Sequence, residues 1–160
     1  LLSQKTGKNI QAILIGDYVP GYESQKETIT SLIQKYQLED RIHFLGHLTN
    51  PLPYYKLFDV FVLPSYMEGL STAALEAAAN GMPLIVTDIP GCAECINNNG
   101  FLVQPRDSFS LAKAMELFLK DPNLISGFSK NSIEHVKKNY SIEMMSAAYL
   151  ELINKKEDAI

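Results

Sequence analysis

The sequence has 160 residues, of which 46% are hydrophobic and 20% charged, and this balance is typical of a globular domain that buries its own core. Fourteen Lys and Arg against 18 Asp and Glu give a net charge of −4. This lack of excess positive charge argues against a nucleic-acid partner. The longest apolar runs, 12–15 and 60–64, are too short to span a bilayer. We therefore expect a soluble, cytoplasmic domain.

Short apolar runs alternate with longer segments of helical period, which is typical of a parallel sheet flanked by helices. In chain order the predicted elements are strand Gln11–Gly16, helix Glu23–Tyr36, strand Ile42–Gly46, helix Leu52–Phe58, strand Val60–Pro64, helix Ser71–Asn80, strand Pro83–Thr87, strand Gly100–Val103 and helices Phe109–Leu119, Leu124–Asn139 and Ile142–Ile153. Ser71 or Thr72 is the expected N-cap of the alanine-rich helix, and Gly81 its left-handed stop. The pattern predicts one α/β domain with a C-terminal helical tail.

Cys92 and Cys95 form a single Cys-x-x-Cys pair, and the three histidines are remote from it in sequence. Zinc sites need four ligands, so we expect no metal site. Two buried or half-exposed thiols are the favoured interpretation of the cysteine pair, and a redox centre is the alternative.

Ligands of open parallel sheets bind at the carboxyl ends of the strands. The residues that follow the apolar runs are Gly16 with Asp17, Gly46 with His47, the stretch Ser65–Thr72, and Thr87 with Asp88. The stretch Ser65–Thr72 leads directly into a helix N-terminus, whose free amides and positive pole are suited to phosphate.

Two carboxylates accompany this helix start. Glu76 lies eight residues after Glu68, and helical side chains lean towards the N-terminus, so Glu76 can reach back over the site. There it could accept hydrogen bonds from ribose hydroxyls, while Glu68 could contact the group that a bound diphosphate carries. The alternative is that Glu76 is an ordinary solvated helix residue and Glu68 a turn residue favoured by the helix dipole.

The pattern around these residues resembles the C-terminal half of the group 1 (family four) retaining glycosyltransferases, which have the GT-B architecture of two Rossmann-like domains. The matching segments are Pro64-Ser65, Glu68-Gly69, Leu75–Ala77, Gly81–Asp88, Gly91, Glu94 and Asn99–Val103, with Ile13–Asp17 and Arg41–Gly46 upstream and Asp107, Leu111-Ala112 and Ala114 downstream. The resemblance covers roughly residues 10–122.

The resemblance implies that Glu68 is the catalytic-site contact to the donor sugar and that Glu76 binds the ribose. It implies that the amides of Leu70, Ser71 and Thr72 hold the distal phosphate. The loop after Gly46 would lie near the base, where His47 is either a base contact or an exposed loop histidine. The expected mouth for a nucleotide-diphosphate sugar is formed by Gly16, Gly46, Glu68, Gly69, Leu70, Ser71, Thr72 and Glu76. No metal or other cofactor is implied.

The chain departs from the family pattern in what precedes it. We expect residues 1–160 to be a C-terminal nucleotide-sugar-binding domain from a longer protein, without the N-terminal acceptor domain, and to be inactive alone. The family's first strand and its Arg and Lys pair have no counterpart, since Lys5 and Lys8 fall before the first predicted strand. Tyr18–Tyr22 stands where many members have a second Gly. How the sheet closes is left open.

The apolar face of the last helix, Ile142, Met145, Tyr149 and Leu152, would in the family's arrangement pack partly towards the missing domain. In this chain two alternatives are open. The face is exposed or buried in a dimer, or it covers the domain's own core.

The leading hypothesis is therefore the donor-binding half of a retaining glycosyltransferase that acts on a glycan or lipid-linked acceptor in surface polysaccharide synthesis. The alternative is a non-catalytic nucleotide-sugar-binding or regulatory module. A receiver-like signalling domain fits less well, because no Lys follows the strand that starts at Pro83. The donor sugar, base, acceptor, linkage, oligomeric state and any peripheral membrane association at the inner face are left open.

Overall fold

The computed structural model of the chain describes residues 10–17 and 23–157. Its elements are strand β1 (Ala12–Ile15), helix α1 (Glu23–Lys35), strand β2 (Ile42–Gly46), helix α2 (Leu52–Tyr55), strand β3 (Phe61–Leu63), helix α3 (Thr72–Ala79), strand β4 (Leu84–Thr87), a 3₁₀ turn (Ala93–Cys95), strand β5 (Gly100–Val103) and helices α4 (Ser108–Lys120), α5 (Asn123–Asn139) and α6 (Ile142–Glu157). The predicted α/β class is confirmed. Lys5, Lys8 and residues 18–22 lie outside the described part.

The boundaries of two helices differ most from the prediction. The predicted helix Leu52–Phe58 ends at Tyr55, because Leu57 and Phe58 donate to Tyr54 and Tyr55 in three-residue turn bonds that close the helix. The last helix instead continues from the predicted end at Ile153 to Glu157.

The chain divides into two compact units, with the division after Pro53. In the first unit β1 and β2 form a parallel pair, with Ala12 opposite Ile42. The apolar residues Ile13, Leu14, Phe44 and Leu45 on these strands are 36–45% exposed. The consecutive apolar residues of this pair are therefore only partly covered by the described residues.

The second unit contains a three-stranded parallel sheet in the order β3-β4-β5. Leu84, Ile85 and Val86 of the central strand are all 0% exposed, as expected for a parallel strand buried on both faces. Successive side chains of a strand point to opposite faces. Accordingly, Leu84 and Val86 belong to one core cluster and Ile85 to another.

Each face of this sheet is covered by its own core cluster, and helix α5 packs against both. The first cluster contains Tyr55, Ala74, Ala77, Ala78, Met82, Leu84, Val86, Cys92 and Cys95. The second joins Ile85 and Val103 to Ala114 and Phe118 of α4, with residues of α5 packed against it. The rings of Phe101, Phe118 and Phe128 meet edge to face in this second cluster at 5.3–5.8 Å, a favoured aromatic arrangement.

Helix α3 carries the predicted signals at both ends. The Ser71 hydroxyl accepts a hydrogen bond from the Ala74 amide at 3.3 Å, which makes Ser71 the N-cap. Gly81 has a φ of +79°, as expected for the left-handed stop of a helix. The alanines between them have side chains small enough to lie directly against the sheet, and Ala74, Ala77 and Ala78 are 0% exposed.

Helix α6 presents its apolar residues to the surface. Ile142, Met145, Tyr149 and Leu152 are 56–74% exposed, so the alternative in which this face covers the domain's own core is wrong. Among the helices within residues 23–157, none combines the length and apolar character needed to cross a membrane.

Candidate functional site

The segment between β3 and α3, residues 64–71, forms a loop at the carboxyl end of the second unit's sheet; we call it the site loop. It ends at Ser71, whose side chain caps α3. The amides of Leu70 and Thr72 have no hydrogen-bond partner among the described residues. The Ser71 amide, by contrast, donates to the Gly91 carbonyl at 3.0 Å. Two of the three amides predicted to hold a phosphate are therefore open, and the third is bonded within the protein.

The two predicted carboxylates are each fixed by one hydroxyl. Glu68 is half-buried in the site loop, and the Ser65 hydroxyl donates to its Oε1 at 2.7 Å. Glu76 is exposed on α3, and the Tyr55 hydroxyl donates to its Oε2 at 3.4 Å. Burial and the adjacent Glu76 carboxylate raise the pKa of Tyr55, so the phenol keeps its proton as a donor. The sugar and ribose roles of the carboxylates stay predictions.

Thr87 fastens the site loop to the central strand. Thr87 lies at the carboxyl end of β4 and is 2% exposed, and its hydroxyl donates to the Ser65 carbonyl at 2.6 Å. A buried hydroxyl–carbonyl bond of this kind leaves neither group unsatisfied. Thr87 was a strand-end candidate from the sequence, and the structure gives it a part in holding the residue that contacts Glu68.

Gly91 holds the other side of the site loop. It has a φ of +85°, and a Cβ at this position would overlap the Gly69 carbonyl oxygen and lie 2.9 Å from the Glu68 carbonyl oxygen. Only glycine allows this close approach of two backbones. Gly91 is held in turn by Glu94, whose Oε2 accepts from the Gly91 amide at 2.7 Å.

Helix α5 and the residue after it support Glu94 from behind. The backbone carbonyl of Glu94 accepts from His135 Nε2 at 3.0 Å and from the Tyr140 hydroxyl at 3.0 Å. The Asn139 amide group lies 3.0 Å from His135 Nδ1, so the ring fits the tautomer that donates from Nε2 and accepts at Nδ1. Sequence reasoning matched Glu94 to the family pattern but gave no sign of this support, because its partners lie 41 and 46 residues further along the chain.

Both cysteines are free, and both are 0% exposed. Burial raises the pKa of the Cys95 thiol to about 11, and burial together with the nearby Glu68 carboxylate raises that of Cys92. Reactive thiols need the opposite shift. The prediction of buried thiols is confirmed, and the redox alternative finds no support.

The glycines predicted at the first two strand ends come together in the first unit. Gly16 follows β1 with a φ of +126°, Gly46 ends β2 with a φ of +67°, and the Gly16 amide donates to the Gly46 carbonyl at 2.8 Å. His47 is exposed directly after Gly46, which fits the loop-histidine interpretation. The candidate residues thus form two sets, one in each unit.

Arg106 is a basic residue that the sequence analysis did not single out. It lines a cleft of about 180 Å³ within the second unit, together with Pro64, Tyr66, Thr87, Val103, Gln104, Asp107, Ser108 and Leu111. Its guanidinium carbon lies 5.2 Å from the centre of the Tyr66 ring. In the described ranges, no group of three or more His, Cys, Asp or Glu residues is placed to hold a metal ion.

The sequence of this chain is similar to those of several known proteins. The model of the family described as glycosyl transferases group 1 matches residues 1–135. A Campylobacter jejuni relative named N,N'-diacetylbacillosaminyl-diphospho-undecaprenol alpha-1,3-N-acetylgalactosaminyltransferase is 31% identical over 116 residues, 71% of this chain and 31% of that protein. Other relatives, 24–33% identical, are named for lipopolysaccharide core, capsule and O-antigen biosynthesis. The chain spans 31–40% of the length of these four relatives.

Two solved structures show the likeness of the fold. The C-terminal domain of a group 1 family protein (LpcC) from Francisella tularensis superposes with a TM-score of 0.75 at 28% identity, over 82% of this chain and 70% of that one. Anabaena HepE in complex with UDP superposes with a TM-score of 0.86 at 21% identity, over 97% of this chain and 44% of that one.

Proposed function

Because this chain belongs to the group 1 glycosyl transferases, we propose that it is the donor-binding half of a retaining glycosyltransferase. The bond between the anomeric carbon and the diphosphate oxygen of a nucleotide sugar would break. A bond from the same carbon to an acceptor hydroxyl oxygen would form on the same face, and the hydroxyl proton would leave with the nucleoside diphosphate. The observation that carries the proposal is the site loop, which joins an open helix N-terminus to the two carboxylates.

The diphosphate is proposed to lie at the start of α3. The open amides of Leu70 and Thr72 belong to the residues on either side of Ser71, the N-cap of α3. At this helix end the macrodipole contributes a partial positive charge of about half an elementary charge. Binding would engage the Ser71 amide only if its bond to Gly91 opened or were shared. The site therefore offers two ready donors before any rearrangement.

Glu76 is proposed to accept the ribose hydroxyls. It is the fifth residue of α3, so its Cα lies about 6 Å along the axis from that of the first residue at 1.5 Å per residue. Its side chain leans back towards the helix start, which brings the carboxylate within reach of a ribose attached to a diphosphate there. The Tyr55 hydroxyl holds one carboxylate oxygen and leaves the other to a ligand.

Glu68 is proposed to contact the donor sugar. It lies in the site loop on the phosphate side of Glu76, and the Ser65 hydroxyl fixes its orientation. A carboxylate accepts up to about four hydrogen bonds, so Glu68 can bind sugar hydroxyls while it keeps the bond from Ser65.

The acceptor is proposed to be a glycan or a lipid-linked saccharide of a surface polysaccharide. The support is the set of relatives named for lipopolysaccharide, capsule and O-antigen synthesis, and the Campylobacter relative whose name specifies a diphospho-undecaprenol acceptor. UDP is the first donor nucleotide to test, since it is the one bound in HepE. GDP and ADP, tested beside UDP for thermal stabilisation, would identify the base.

The test is titration calorimetry of this chain with UDP and with the UDP sugar that stabilises it most. Glu76→Ala is expected to weaken binding of both about ten- to hundredfold, because it removes the charged acceptor of two ribose hydroxyls. Glu68→Ala is expected to leave UDP affinity within about twofold and to cancel the difference between UDP and the UDP sugar. Glu134→Ala on α5 is the control, an exposed helix carboxylate outside the site loop.

Equal losses of UDP affinity in the Glu68 and Glu76 variants would contradict the two roles. If none of the three nucleotides and none of their sugars bound to the chain, the donor-binding proposal as a whole would be contradicted.

A further inference from the structure

We propose that Arg106, in cation–π contact with Tyr66, is the cation of a phosphoryl-binding subsite in the second unit; this inference rests on the proposed function and adds to it a site for a charged group of one substrate. The subsite is the cleft at the carboxyl ends of β3, β4 and β5. Its lining includes Pro64, which follows β3, and Thr87 and Val103, the last residues of β4 and β5. Ligands of open parallel sheets bind at this edge.

The backbone at Arg106 is unusual for a residue with a long side chain. Its φ is +61°, in the left-handed region that costs an L-residue on the order of 1–2 kcal/mol and costs glycine little. Folding alone is therefore served best by glycine at this position. An outlier of this kind at the mouth of a cleft is grounds for a functional hypothesis.

The Tyr66 ring holds the guanidinium over the cleft. The distance of 5.2 Å from the guanidinium carbon to the ring centre is within the range of a cation–π contact. A cation–π contact uses none of the guanidinium N–H groups as hydrogen-bond donors to a side-chain oxygen, so these groups are left to a ligand. Within the described residues Arg106 has no ion pair with a carboxylate, so its charge is available to a ligand.

Asp107 lines the cleft with Arg106, and Asp88 is bonded to Gln104, which also lines it. Asp107 caps α4, where its Oδ1 accepts from the amides of Phe109 at 2.9 Å and Ser110 at 3.0 Å. Asp88 Oδ2 accepts from the Gln104 side chain at 3.4 Å. The positive end of α4 offsets the charge of Asp107, its own cap, and within the described residues neither carboxylate forms an ion pair with Arg106.

The size of the cleft indicates how much of a ligand it holds. Its volume of about 180 Å³ is below the roughly 300–1,000 Å³ of pockets that enclose whole ligands. A phosphoryl group fits this space, and its oxygens match the parallel N–H donors of a guanidinium. Tyr66 lies two residues before Glu68 in the site loop, which puts the subsite beside the proposed sugar contact. The phosphoryl group could belong to the donor or to a lipid diphosphate acceptor.

The test measures binding of inorganic pyrophosphate, UDP and farnesyl diphosphate to this chain by titration calorimetry at low salt. Arg106→Gly removes the guanidinium and relieves the left-handed backbone, so it is expected to hold or raise the melting temperature while weakening pyrophosphate binding about tenfold. Arg106→Lys keeps the charge but lacks the planar guanidinium, and its affinity for pyrophosphate is expected to lie between those of the parent and Arg106→Gly. Lys113→Ala on α4 makes the same change of net charge at an exposed residue outside the cleft, and is expected to change affinity less than twofold.

The two organic probes identify the source of the phosphoryl group. If Arg106→Gly loses affinity for UDP but not for farnesyl diphosphate, the subsite belongs to the donor. If it loses affinity for farnesyl diphosphate but not for UDP, the subsite belongs to the acceptor. Unchanged pyrophosphate affinity in Arg106→Gly, or equal losses in Arg106→Gly and Lys113→Ala, would overturn the proposal. If UDP still binds and Glu76→Ala still weakens it, only the subsite has failed; if UDP, GDP and ADP all fail to bind, the proposed function has failed as well.

Discussion

Gly91→Ala is the sharpest test of how the site loop is held. The new Cβ would overlap the Gly69 carbonyl oxygen and lie 2.7 Å from the Gly69 carbonyl carbon. Both atoms belong to the backbone, so no side-chain rotation relieves the clash. Either the site loop moves away from Gly91, or the residue leaves its present backbone conformation.

The expected loss of stability has two physical sources. A φ of +85° costs an alanine on the order of 1–2 kcal/mol, and overpacking adds about 1–3 kcal/mol. The free energy of unfolding should fall by about 2–5 kcal/mol, a large share of the roughly 5–15 kcal/mol typical of a domain. For a chain of this size each kcal/mol corresponds to about 2–4 °C in melting temperature.

The same substitution should reduce ligand affinity beyond its effect on folding. A shift of the site loop away from Gly91 displaces the amide of Leu70, which is one of the two open donors proposed for the diphosphate. Urea unfolding gives the stability, and UDP titration at a temperature where the variant is folded gives the affinity. Gly127→Ala is the matched control: a Cβ there meets nothing within 4 Å, and alanine within a helix is expected to stabilise by roughly 0.5–1 kcal/mol. A Gly91→Ala protein as stable as the parent and with the same UDP affinity would refute the argument.

Two further predictions concern buried groups. Thr87→Val removes the bond to the Ser65 carbonyl, and Ser132→Ala removes the bond to the Met82 carbonyl. Each should lower the free energy of unfolding by about 1–3 kcal/mol in urea titrations. Only Thr87→Val should reduce the difference in affinity between UDP and the UDP sugar, because Ser65 orients Glu68; an equal reduction in both variants would contradict this prediction. Burial raises the pKa of Cys95 to about 11 from an ordinary 9.0, so the folded state holds the thiol proton more tightly than the unfolded state does. The contribution of this thiol to the free energy of unfolding should be constant below about pH 9 and should fall by roughly 2–3 kcal/mol as the pH rises to 11. Urea titrations of Cys95→Ala at several pH values should show a smaller fall.

The sequence was informative where local signals and the global fold agree. The four-residue apolar run that became β4 and the alanine-rich helix between a Ser cap and a Gly stop need no long-range information, because periodicity and capping decide them. The residues flanking the site followed from the same reasoning, since strand ends and a helix start are local features. These local features place Glu68 and Glu76 beside the helix start, whereas their sugar and ribose roles come from the family resemblance and stay predictions.

Long-range contacts were not predictable in the same way. The overlap that forbids a Cβ at Gly91 arises from Gly69, 22 residues earlier, and the support of Glu94 comes from residues more than 40 positions later. Arg106 reads in the sequence as an ordinary loop cation, since neither its left-handed backbone nor its contact with Tyr66 has a local signature. Such contacts depend on which elements the fold brings together.

The stiffness of the site loop follows from the strand that anchors it. Within the described residues β4 is the strand whose four residues are all buried, and strands of this kind open only with free energies close to that of global unfolding. Thr87 ends this strand and Gly91 follows it by four residues, so both contacts that hold the site loop come from the segment that leaves the core. Glu68 is thus oriented before a ligand arrives. Binding then costs little further ordering at this side chain, which is the condition under which a few hydrogen bonds yield useful affinity.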